Sequence, residues 1–322
     1  MPEPSKLLRK LSQQLFTDPV DQSQFVAALV TPQPYPAAIL WTQARPVVSP
    51  FECLAPLVWQ PAFVDRLVSE SQPGRQPLHA AGSFYCLDFS SVFAASVMLA
   101  IAAPMPTVLD FCAAPGGKSL FSWVALKPQQ LLSNEVIRKR LKILIANLKR
   151  CGAQGAMALN LDPAVLAQRL PQSADLVIVD APCSGQSLLA KGEKAPGCFH
   201  PVTINKNANR QKRILAEAAK TVAPQGYLAY MTCTYSVAEN ERVGEWLVNK
   251  FPQFQPVTVP YLGSYQSKLT ALPCYRLWPQ QGLGAGAFTL LLQNTASGTP
   301  QPLSPDFLAQ QGRVIYPYED RQ

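Results

Sequence analysis

Residues 107–119, TVLDFCAAPGGKS, constrain the fold of this chain more than any other segment. A short apolar and β-branched run ends at Asp110, the chain then turns at residues 115–117, and a helical pattern resumes at Lys118. This order predicts a strand, a tight turn and a helix. Such a turn lies at the carboxyl edge of a parallel sheet, where open α/β folds bind their ligands.

The turn predicts a site for a nucleotide-like cofactor. Its small residues let the backbone approach a ligand closely, and the free N–H groups of the following helix can hold polar or negative groups. A phosphate-binding P-loop is excluded, because Cys112 stands where GxxxxGK[ST] requires its first glycine. Glu135 ends the next predicted strand, close to the spacing of about 20 residues at which a carboxylate binds ribose. An ordinary turn with a surface glutamate is the alternative for either feature alone.

The remainder of the main region alternates strands and helices. Strands are predicted at 131–135, 156–160, 175–180 and 226–231, with a closing pair near 275–278 and 288–292. Helices are predicted at 92–102, 136–151, 204–222 and up to Lys250, the last begun by a capping box of Ser236 and Glu239. This alternation predicts an α/β fold with a doubly wound parallel sheet.

Composition divides the chain into three regions. Residues 1–80 are rich in Pro and Gln and predict a small N-terminal α+β domain, which either holds substrate or serves as a plain structural lid. Residues 81–298 form the main domain. Residues 299–322 are rich in proline and predict an irregular tail.

The charge balance permits a polyanionic partner. The chain carries 28 Lys and Arg residues against 20 Asp and Glu, a net charge of +8. Basic residues crowd two predicted helices: Arg138, Lys139, Arg140, Lys142, Lys149 and Arg150 on the first, and Lys206, Arg210, Lys212 and Arg213 on the second. A solvated helix face is the alternative for any single residue.

The cysteine pattern and the hydropathy predict where in the cell the protein is located. Eight scattered cysteines without a CxxC pair predict free thiols in a reducing, cytoplasmic environment. Only two histidines are present, so no metal site is expected. No apolar run approaches the length of about 18 residues needed to span a membrane, and a soluble protein is expected.

Chemically active side chains follow the predicted strand ends and should meet in one crevice: Lys118, Glu135, Asp180, Cys183 and Cys233. Two thiols in a cofactor cleft suggest nucleophilic catalysis, because a thiolate attacks carbon well once its pKa is lowered. A single cysteine is more often a small buried hydrophobe. Polar or turn residues flank both thiols, which favours the functional interpretation, although the residues alone do not rank the two.

Three segments resemble motifs of the RsmB/NOP2/Sun-type RNA (cytosine-5) methyltransferases. They are DFCAAPGGKS, VDAPCSG and MTCTYSVAENE, and they occur in the family's order within about residues 82–293. The resemblance implies a Rossmann-like class I methyltransferase sheet with S-adenosylmethionine as its cofactor. It also implies that the enzyme methylates C5 of a cytosine in rRNA or tRNA through a covalent cysteine adduct. Residues 1–80 would then help to hold the RNA.

The resemblance also assigns roles by motif matching. The cofactor would be held by Cys112, Ala113, Ala114, Pro115, Gly116, Gly117, Lys118, Glu135, Asp162 and Asp180. The thiol of Cys233 would attack the base, and the thiol of Cys183 would assist release. Asp180 and Lys118 would contact the cytosine ring. Thiolate addition at C6 would make C5 nucleophilic enough to accept a methyl group.

The sequence departs from the family's pattern at three places. Thr234 stands where serine is common, Gln186 stands where a second glycine is usual, and the loop at residues 191–201 differs. This loop is expected near the RNA, so the choice of substrate stays open. Two other functions are also open: an RNA-binding assembly factor whose catalysis is dispensable, and a methyltransferase that acts on DNA or on another base.

Overall fold

A computed structural model describes residues 3–68, 71–311 and 313–314. The N-terminal part contains two helices and a small antiparallel sheet. The helices are α1 (Lys6–Leu15) and α2 (Pro19–Val30), and the strands are β1 (Ala37–Trp41), β2 (Val64–Arg66) and β3 (Phe84–Asp88), in the order β2-β1-β3. Ser5 and Asp18 cap the two helices, because their side-chain oxygens accept hydrogen bonds from backbone N–H groups of the first turns.

A nine-stranded sheet forms the main body, in the order β10-β11-β8-β7-β4-β5-β6-β12, and β9 also pairs with β11. Its strands are β4 (Thr107–Asp110), β5 (Gln130–Asn134), β6 (Ala156–Leu159), β7 (Ala174–Asp180), β8 (Val222–Thr232), β9 (Phe254–Pro256), β10 (Tyr275–Leu277), β11 (Ala287–Asn294) and β12 (Arg313–Val314). The five strands from β4 to β8 run parallel, and β11 closes the sheet antiparallel to β8.

Helices cover both faces of this sheet. The helices that follow α2 are α3 (Pro77–Ala80), α4 (Phe89–Ser96), α5 (Gly117–Leu126), α6 (Arg138–Arg150), α7 (Pro163–Arg169), α8 (Ser187–Ala190), α9 (Pro201–Thr221), α10 (Glu241–Lys250) and α11 (Pro305–Gln311). Of these, α3 lies beside the small sheet and α8 packs against α2. Val108 of β4 packs into the core beneath α4, α5 and α6, whereas Leu109 packs into the core beneath α7, α9 and α10. Successive strand residues point to opposite faces, so a two-sided core requires this arrangement. The predicted α/β, doubly wound, Rossmann-like fold is confirmed.

The strand order places the site. The chain runs outward from β4 through β5 to β6, and β7 then returns to the other side of β4. The carboxyl ends of β4 and β7 therefore flank the point where the order reverses, which is where ligands bind in such sheets. Asp110 and Asp180 are the last residues of these two strands.

Several predicted boundaries are wrong. The helix expected at 136–151 begins at Arg138, because Glu135 caps the preceding turn by accepting a hydrogen bond from the N–H of Ile137. The helix expected from residue 204 begins at Pro201, where the ring nitrogen of His200 supplies the cap.

The capping box of Ser236 and Glu239 is also wrong. The helix begins at Glu241, and the Glu239 side chain bonds to residues of other elements instead. A capping pattern is local, whereas here tertiary donors compete for the same carboxylate.

The tail is more ordered than expected. Residues 305–311 form α11, and residues 313–314 pair with the edge strand β6. Phe307 and Leu308 are buried in the core beneath α7 and α9, which gives the tail an apolar anchor. The expectation of an irregular tail is therefore wrong for these residues.

The small sheet draws its third strand, β3, from residues 84–88, beyond the expected boundary at residue 80. The three-part division of the chain stays a prediction. In the part of the chain that the structure describes, no helix is both long enough and apolar enough to cross a membrane.

Candidate active site and cofactor pocket

The turn after β4 is held by α6. The Arg140 guanidinium donates a hydrogen bond to the carbonyl of Ala114 at 2.5 Å, and the side-chain amide of Asn147 donates to the carbonyl of Pro115 at 2.8 Å. Gly116 has a φ of +120°, and a Cβ atom there would lie 3.3 Å from Leu144. The backbone angle favours glycine, and a Cβ atom would in addition crowd the Leu144 side chain. The turn is therefore a fixed frame at the start of α5.

Asp110 stabilises this frame from below. Its carboxylate accepts hydrogen bonds from the Ser119 hydroxyl at 2.7 Å and from the N–H of Cys112 at 3.2 Å. The Ser133 hydroxyl lies 3.0 Å from that of Ser119 and extends the network to β5. Burial raises the pKa of Asp110 to about 7. The sequence marked Asp110 only as a strand end, and its place in this network was missed because its partners lie on distant segments.

A cavity of about 550 Å³ opens beside the turn. It is lined by Phe111, Cys112, Glu135, Val136, Ile137, Arg140, Asp162, Pro163, Ala164, Pro182, Arg210, Arg213, Ile214, Ala216 and Glu217. Three of the predicted cofactor residues, Cys112, Glu135 and Asp162, are on this wall. Ala113, Ala114, Pro115, Gly116 and Gly117 form the adjoining turn and do not line the cavity.

Glu135 lines this cavity, and its carboxylate is only partly satisfied within the protein. Its Oε1 atom accepts a hydrogen bond from the N–H of Ile137 at 2.8 Å. Its Oε2 atom is buried and lies 3.1 Å from the Arg140 guanidinium, yet no group among the described residues donates a hydrogen bond to it. The ion pair offsets part of the cost of burying this carboxylate, and the hydrogen-bonding capacity of Oε2 stays available to a ligand. Val136 and Ile137, both partly exposed, add an apolar surface beside it. The wall therefore suits a ligand with both hydroxyl groups and a flat apolar ring.

Asp162 lies at the far side of the cavity. It is exposed and caps α7, where its carboxylate accepts a hydrogen bond from the N–H of Ala164 at 2.9 Å. This contact fixes the carboxylate at the rim of the cavity.

Lys118 and Asp180 do not line this cavity either, and they form an ion pair with each other. The Nζ atom of Lys118 lies 3.0 Å from Oδ2 of Asp180. The lysine side chain is only 8% exposed, whereas the aspartate side chain is 35% exposed and can still meet a ligand. The pair joins the first turn of α5 to the end of β7.

The two predicted thiols meet. The sulfur atoms of Cys183 and Cys233 are 3.3 Å apart. Cys183 lies on the loop that follows β7, and Cys233 follows β8 directly, so two neighbouring parallel strands deliver them to one place. Cys233 is the exposed member of the pair.

The pair is electrostatically unequal. A hydrogen bond from the Cys183 thiol lowers the pKa of Cys233, with help from the Ser187 hydroxyl and the Lys118 ammonium and against the effects of burial and of Asp180. The same hydrogen bond raises the pKa of Cys183, and burial and the charges of Cys233 and Glu239 raise it further. Cys233 is therefore the more readily ionised thiol of the pair.

Two departures from the family's pattern have structural roles. Gln186 is buried, accepts a hydrogen bond from the N–H of Tyr235 at 3.0 Å and donates one to the carbonyl of Cys198 at 3.0 Å. It thus ties the loop after β8 to the loop at residues 191–201. The Thr234 hydroxyl lies 2.8 Å from that of Ser184, a contact that the usual serine could also make.

The N-terminal helices pack against the loop that carries Cys233. The ring of Phe25 meets that of Tyr235 edge-on with centroids 5.0 Å apart, and Phe16 packs on Trp278 at 4.8 Å. Tyr235 comes two residues after Cys233, so this aromatic cluster supports the loop from behind. Sequence reasoning could not place this contact, because the helices carry apolar residues but no motif.

Basic side chains expected to meet a polyanion are partly used within the protein. Arg140 pairs with Glu135, and Arg210 and Arg213 line the cavity. Lys191 pairs with Asp88 at 2.9 Å. Among the described residues, no group of three or more His, Cys, Asp or Glu side chains could hold a metal ion.

Comparisons with known proteins identify the family of this chain. Residues 98–293 match the family described as 16S rRNA methyltransferase RsmB/F. Ribosomal RNA small subunit methyltransferase F from Cronobacter sakazakii is 30% identical over 77% of this chain and 53% of its own length. The protein of the same name from Vibrio vulnificus is 31% identical over 76% of this chain and 51% of its own length. The chain thus spans about half the length of these curated relatives.

Solved structures share the fold. A methyltransferase homolog protein from Pyrococcus horikoshii has a TM-score of 0.72 and 20% identity, covering 90% of this chain and 95% of that one. NSun6 from the same organism has a TM-score of 0.68 and 18% identity, covering 91% of this chain and 99% of that one.

Proposed function

Because the chain belongs to the RsmB/F family of 16S rRNA methyltransferases, we propose that it transfers a methyl group from S-adenosylmethionine to C5 of a cytosine in RNA through a covalent cysteine adduct. The observation that carries this proposal is the contact of two unequal thiols, 3.3 Å apart, at the strand ends beside the cavity. The relatives are named for the RNA of the small ribosomal subunit, which favours rRNA over tRNA as the substrate. A cytoplasmic location is part of the proposal.

The cavity fits the cofactor. Glu135 Oε2 is an unsatisfied acceptor for a ribose hydroxyl, and the apolar surface of Val136 and Ile137 suits an adenine ring. Asp162 lies at the rim where it can accept from an exocyclic amine. The first turn of α5, which begins at Gly117, offers backbone N–H groups to the amino-acid part. Once bound, S-adenosylmethionine supplies a methyl group on a positively charged sulfur.

The thiol of lower pKa begins the reaction. The Cys233 thiolate adds to C6 of cytosine, and the electron pair of the C5–C6 double bond then makes C5 nucleophilic enough to accept a methyl group. Loss of the C5 proton and cleavage of the carbon–sulfur bond restore the aromatic ring and return the electron pair to sulfur. Cys183, held against Cys233, assists this release.

The Lys118–Asp180 pair binds the cytosine ring. Asp180 remains partly exposed and can accept a hydrogen bond from the exocyclic amine, while the Lys118 ammonium fixes the carboxylate. Charge that develops on the ring during thiolate addition is stabilised by groups already in place, which is the most effective form of electrostatic catalysis.

Nucleoside analysis tests the proposal. The protein is incubated with S-adenosylmethionine and total cellular RNA, and the digested RNA is analysed by mass spectrometry. We expect 5-methylcytidine, absent when Cys233 is replaced by alanine. Cofactor binding without transfer to any RNA would instead support the assembly-factor alternative. Transfer to DNA, or to another base, would contradict the assignment of the substrate.

A further inference from the structure

Glu239 is a buried carboxylate to which the mechanism above gives no part. It lies at the end of the loop that follows Cys233, immediately before α10, and it is fully buried. Its carboxylate interacts with the Thr234 hydroxyl of its own loop, and its other hydrogen-bond donors lie outside that loop and α10. They come from the loop of Cys183 and from α9.

The carboxylate holds one neighbour of Cys183 directly. Its Oε2 atom accepts a hydrogen bond from the N–H of Ser184 at 2.8 Å, and its Oε1 atom accepts one from the Ser184 hydroxyl at 2.5 Å. The Ser184 hydroxyl also lies 2.8 Å from that of Thr234, which follows Cys233. The two thiol-bearing loops are therefore joined by the contact between Ser184 and Thr234, which directly follow Cys183 and Cys233.

The other neighbour of Cys183 is held through α9. The side-chain amide of Gln211, itself buried, donates to Glu239 Oε2 at 3.1 Å and to the carbonyl of Pro182 at 3.1 Å. Residues on both sides of Cys183 are thus fixed by the Glu239–Gln211 pair. The backbone of Cys183 has little freedom left, since both flanking peptide groups are anchored.

We propose that Glu239 is a positioning residue that, through Ser184 and Gln211, fixes the loop of Cys183 so that its sulfur lies against that of Cys233. The inference rests on the proposed function for its catalytic consequence but not for its geometry. The hydrogen bond with Cys233 and burial raise the pKa of Cys183, and the negative charge of Glu239 raises it further, which favours the protonated state that donates to Cys233.

Two substitutions separate geometry from charge. In Glu239→Ala the acceptors are lost, and the Cys183 loop is released. In Glu239→Gln the amide oxygen can still accept from the N–H of Ser184 and from Gln211, while the amide nitrogen donates to the Ser184 hydroxyl. Glu245→Ala and Glu245→Gln are matched controls, because Glu245 lies on α10 and its carboxylate accepts a hydrogen bond from the Thr270 hydroxyl and not from the thiol-bearing loops.

The first readout needs no RNA. Diamide converts two adjacent thiols to a disulfide and takes up the two electrons and two protons, and peptide mass mapping follows the Cys183–Cys233 bond. We expect Glu239→Ala to lower the rate of formation of this disulfide by about tenfold or more, because displacements of about 1 Å already disrupt reacting pairs. Glu239→Gln and both Glu245 variants should stay within about threefold of the wild-type rate, since proximity is retained.

The second readout is a gain of signal. If Cys183 can no longer assist release, Glu239→Ala should accumulate the covalent RNA adduct as Cys183→Ala does. The variant that carries both substitutions should accumulate no more adduct than Cys183→Ala alone. A protein that is merely destabilised would lose methyl transfer and adduct together. Failure of the wild type to methylate RNA would overturn the proposed function, yet the disulfide rates would still decide the positioning role.

A folded Glu239→Ala protein with a wild-type disulfide rate would overturn the inference. If that variant does not fold, Gln211→Ala and Ser184→Ala test the positioning role, because each removes one hydrogen-bond partner of Glu239 and leaves Glu239 in place. We expect each to slow the disulfide by about threefold or more. Unchanged rates in both would contradict the positioning role.

Discussion

Lys118 and Asp180 form an ion pair of 3.0 Å that joins the first turn of α5 to the end of β7, 62 residues apart in sequence. The pair lies where the strand order reverses, between the cofactor turn and the two thiols. Its buried lysine and half-exposed aspartate are suited to face a ligand on one side only.

Breaking this pair should impair transfer more than folding. We expect Lys118→Gln and Asp180→Asn to lower the single-turnover rate by about 100-fold or more, because each removes a preorganised charge from the reaction zone. The exposed pair of Arg9 and Glu3 provides the control, and Arg9→Gln should change the rate by less than about twofold. Rates near that of the wild type for both site variants would remove the pair from the mechanism.

The titration of Cys233 should depend on Cys183. The thiol of Cys183 donates to Cys233 and favours the thiolate, so Cys183→Ala should raise the pKa of Cys233. The pH dependence of iodoacetamide alkylation at Cys233, read by peptide mass spectrometry, measures this shift. An ordinary thiol has a pKa of about 8.5. We expect the wild-type midpoint to lie below that value and to move upward in Cys183→Ala. An unmoved midpoint would contradict the assigned direction of the hydrogen bond.

Asp110 should make stability fall as the pH rises. Burial raises the pKa of Asp110 to about 7 in the folded protein, whereas an unfolded aspartate titrates near 3.9. The folded state therefore binds the additional proton between about pH 4 and pH 7, and its contribution is lost as the pH rises through that window. Asp110→Asn removes the titration.

Chemical denaturation at several pH values tests this sign. Relative to the wild type, the free energy of unfolding of Asp110→Asn should improve by more than about 1 kcal/mol between pH 5 and pH 8. Asp306→Asn, on α11 far from the site, is the control and should follow the wild type. A difference independent of pH would show that Asp110 is ionised throughout.

Glu135 should control cofactor affinity. Its Oε2 atom lacks a donor, so Glu135→Gln replaces a carboxylate acceptor at the ribose position and should weaken binding by about tenfold or more. Isothermal calorimetry with S-adenosylmethionine measures the change. Glu193→Gln, an exposed glutamate outside the cavity, should bind as the wild type does. Equal affinity in the two variants would place the ribose elsewhere.

Much of the site follows from the order of strands along the sequence. Parallel strands end at the same edge of a sheet, so thiols placed after β7 and β8 had to approach one another, and they lie 3.3 Å apart. Gly116 was predictable as part of the tight turn, because its φ of +120° is a backbone angle that favours glycine.

Contacts between distant segments were not predictable. Glu239 matches a capping pattern, yet donors from Ser184 and Gln211 bind its carboxylate. No local rule brings Phe25 to the ring of Tyr235, because that contact depends on how the N-terminal helices pack. Sequence periodicity marks which residues are apolar, whereas their partners are set by the tertiary fold.

Trapping of RNA on denatured protein shows which of the two thiols forms the covalent bond to RNA. Wild type, Cys183→Ala and Cys233→Ala are incubated with cellular RNA and S-adenosylmethionine, and covalently retained RNA is measured after denaturation. Cys183→Ala should retain RNA and Cys233→Ala should not, because Cys233 forms the bond and Cys183 assists its release. Retention by Cys233→Ala alone would reverse the two roles. Methyl transfer by both variants without any retained RNA would contradict the two-thiol mechanism.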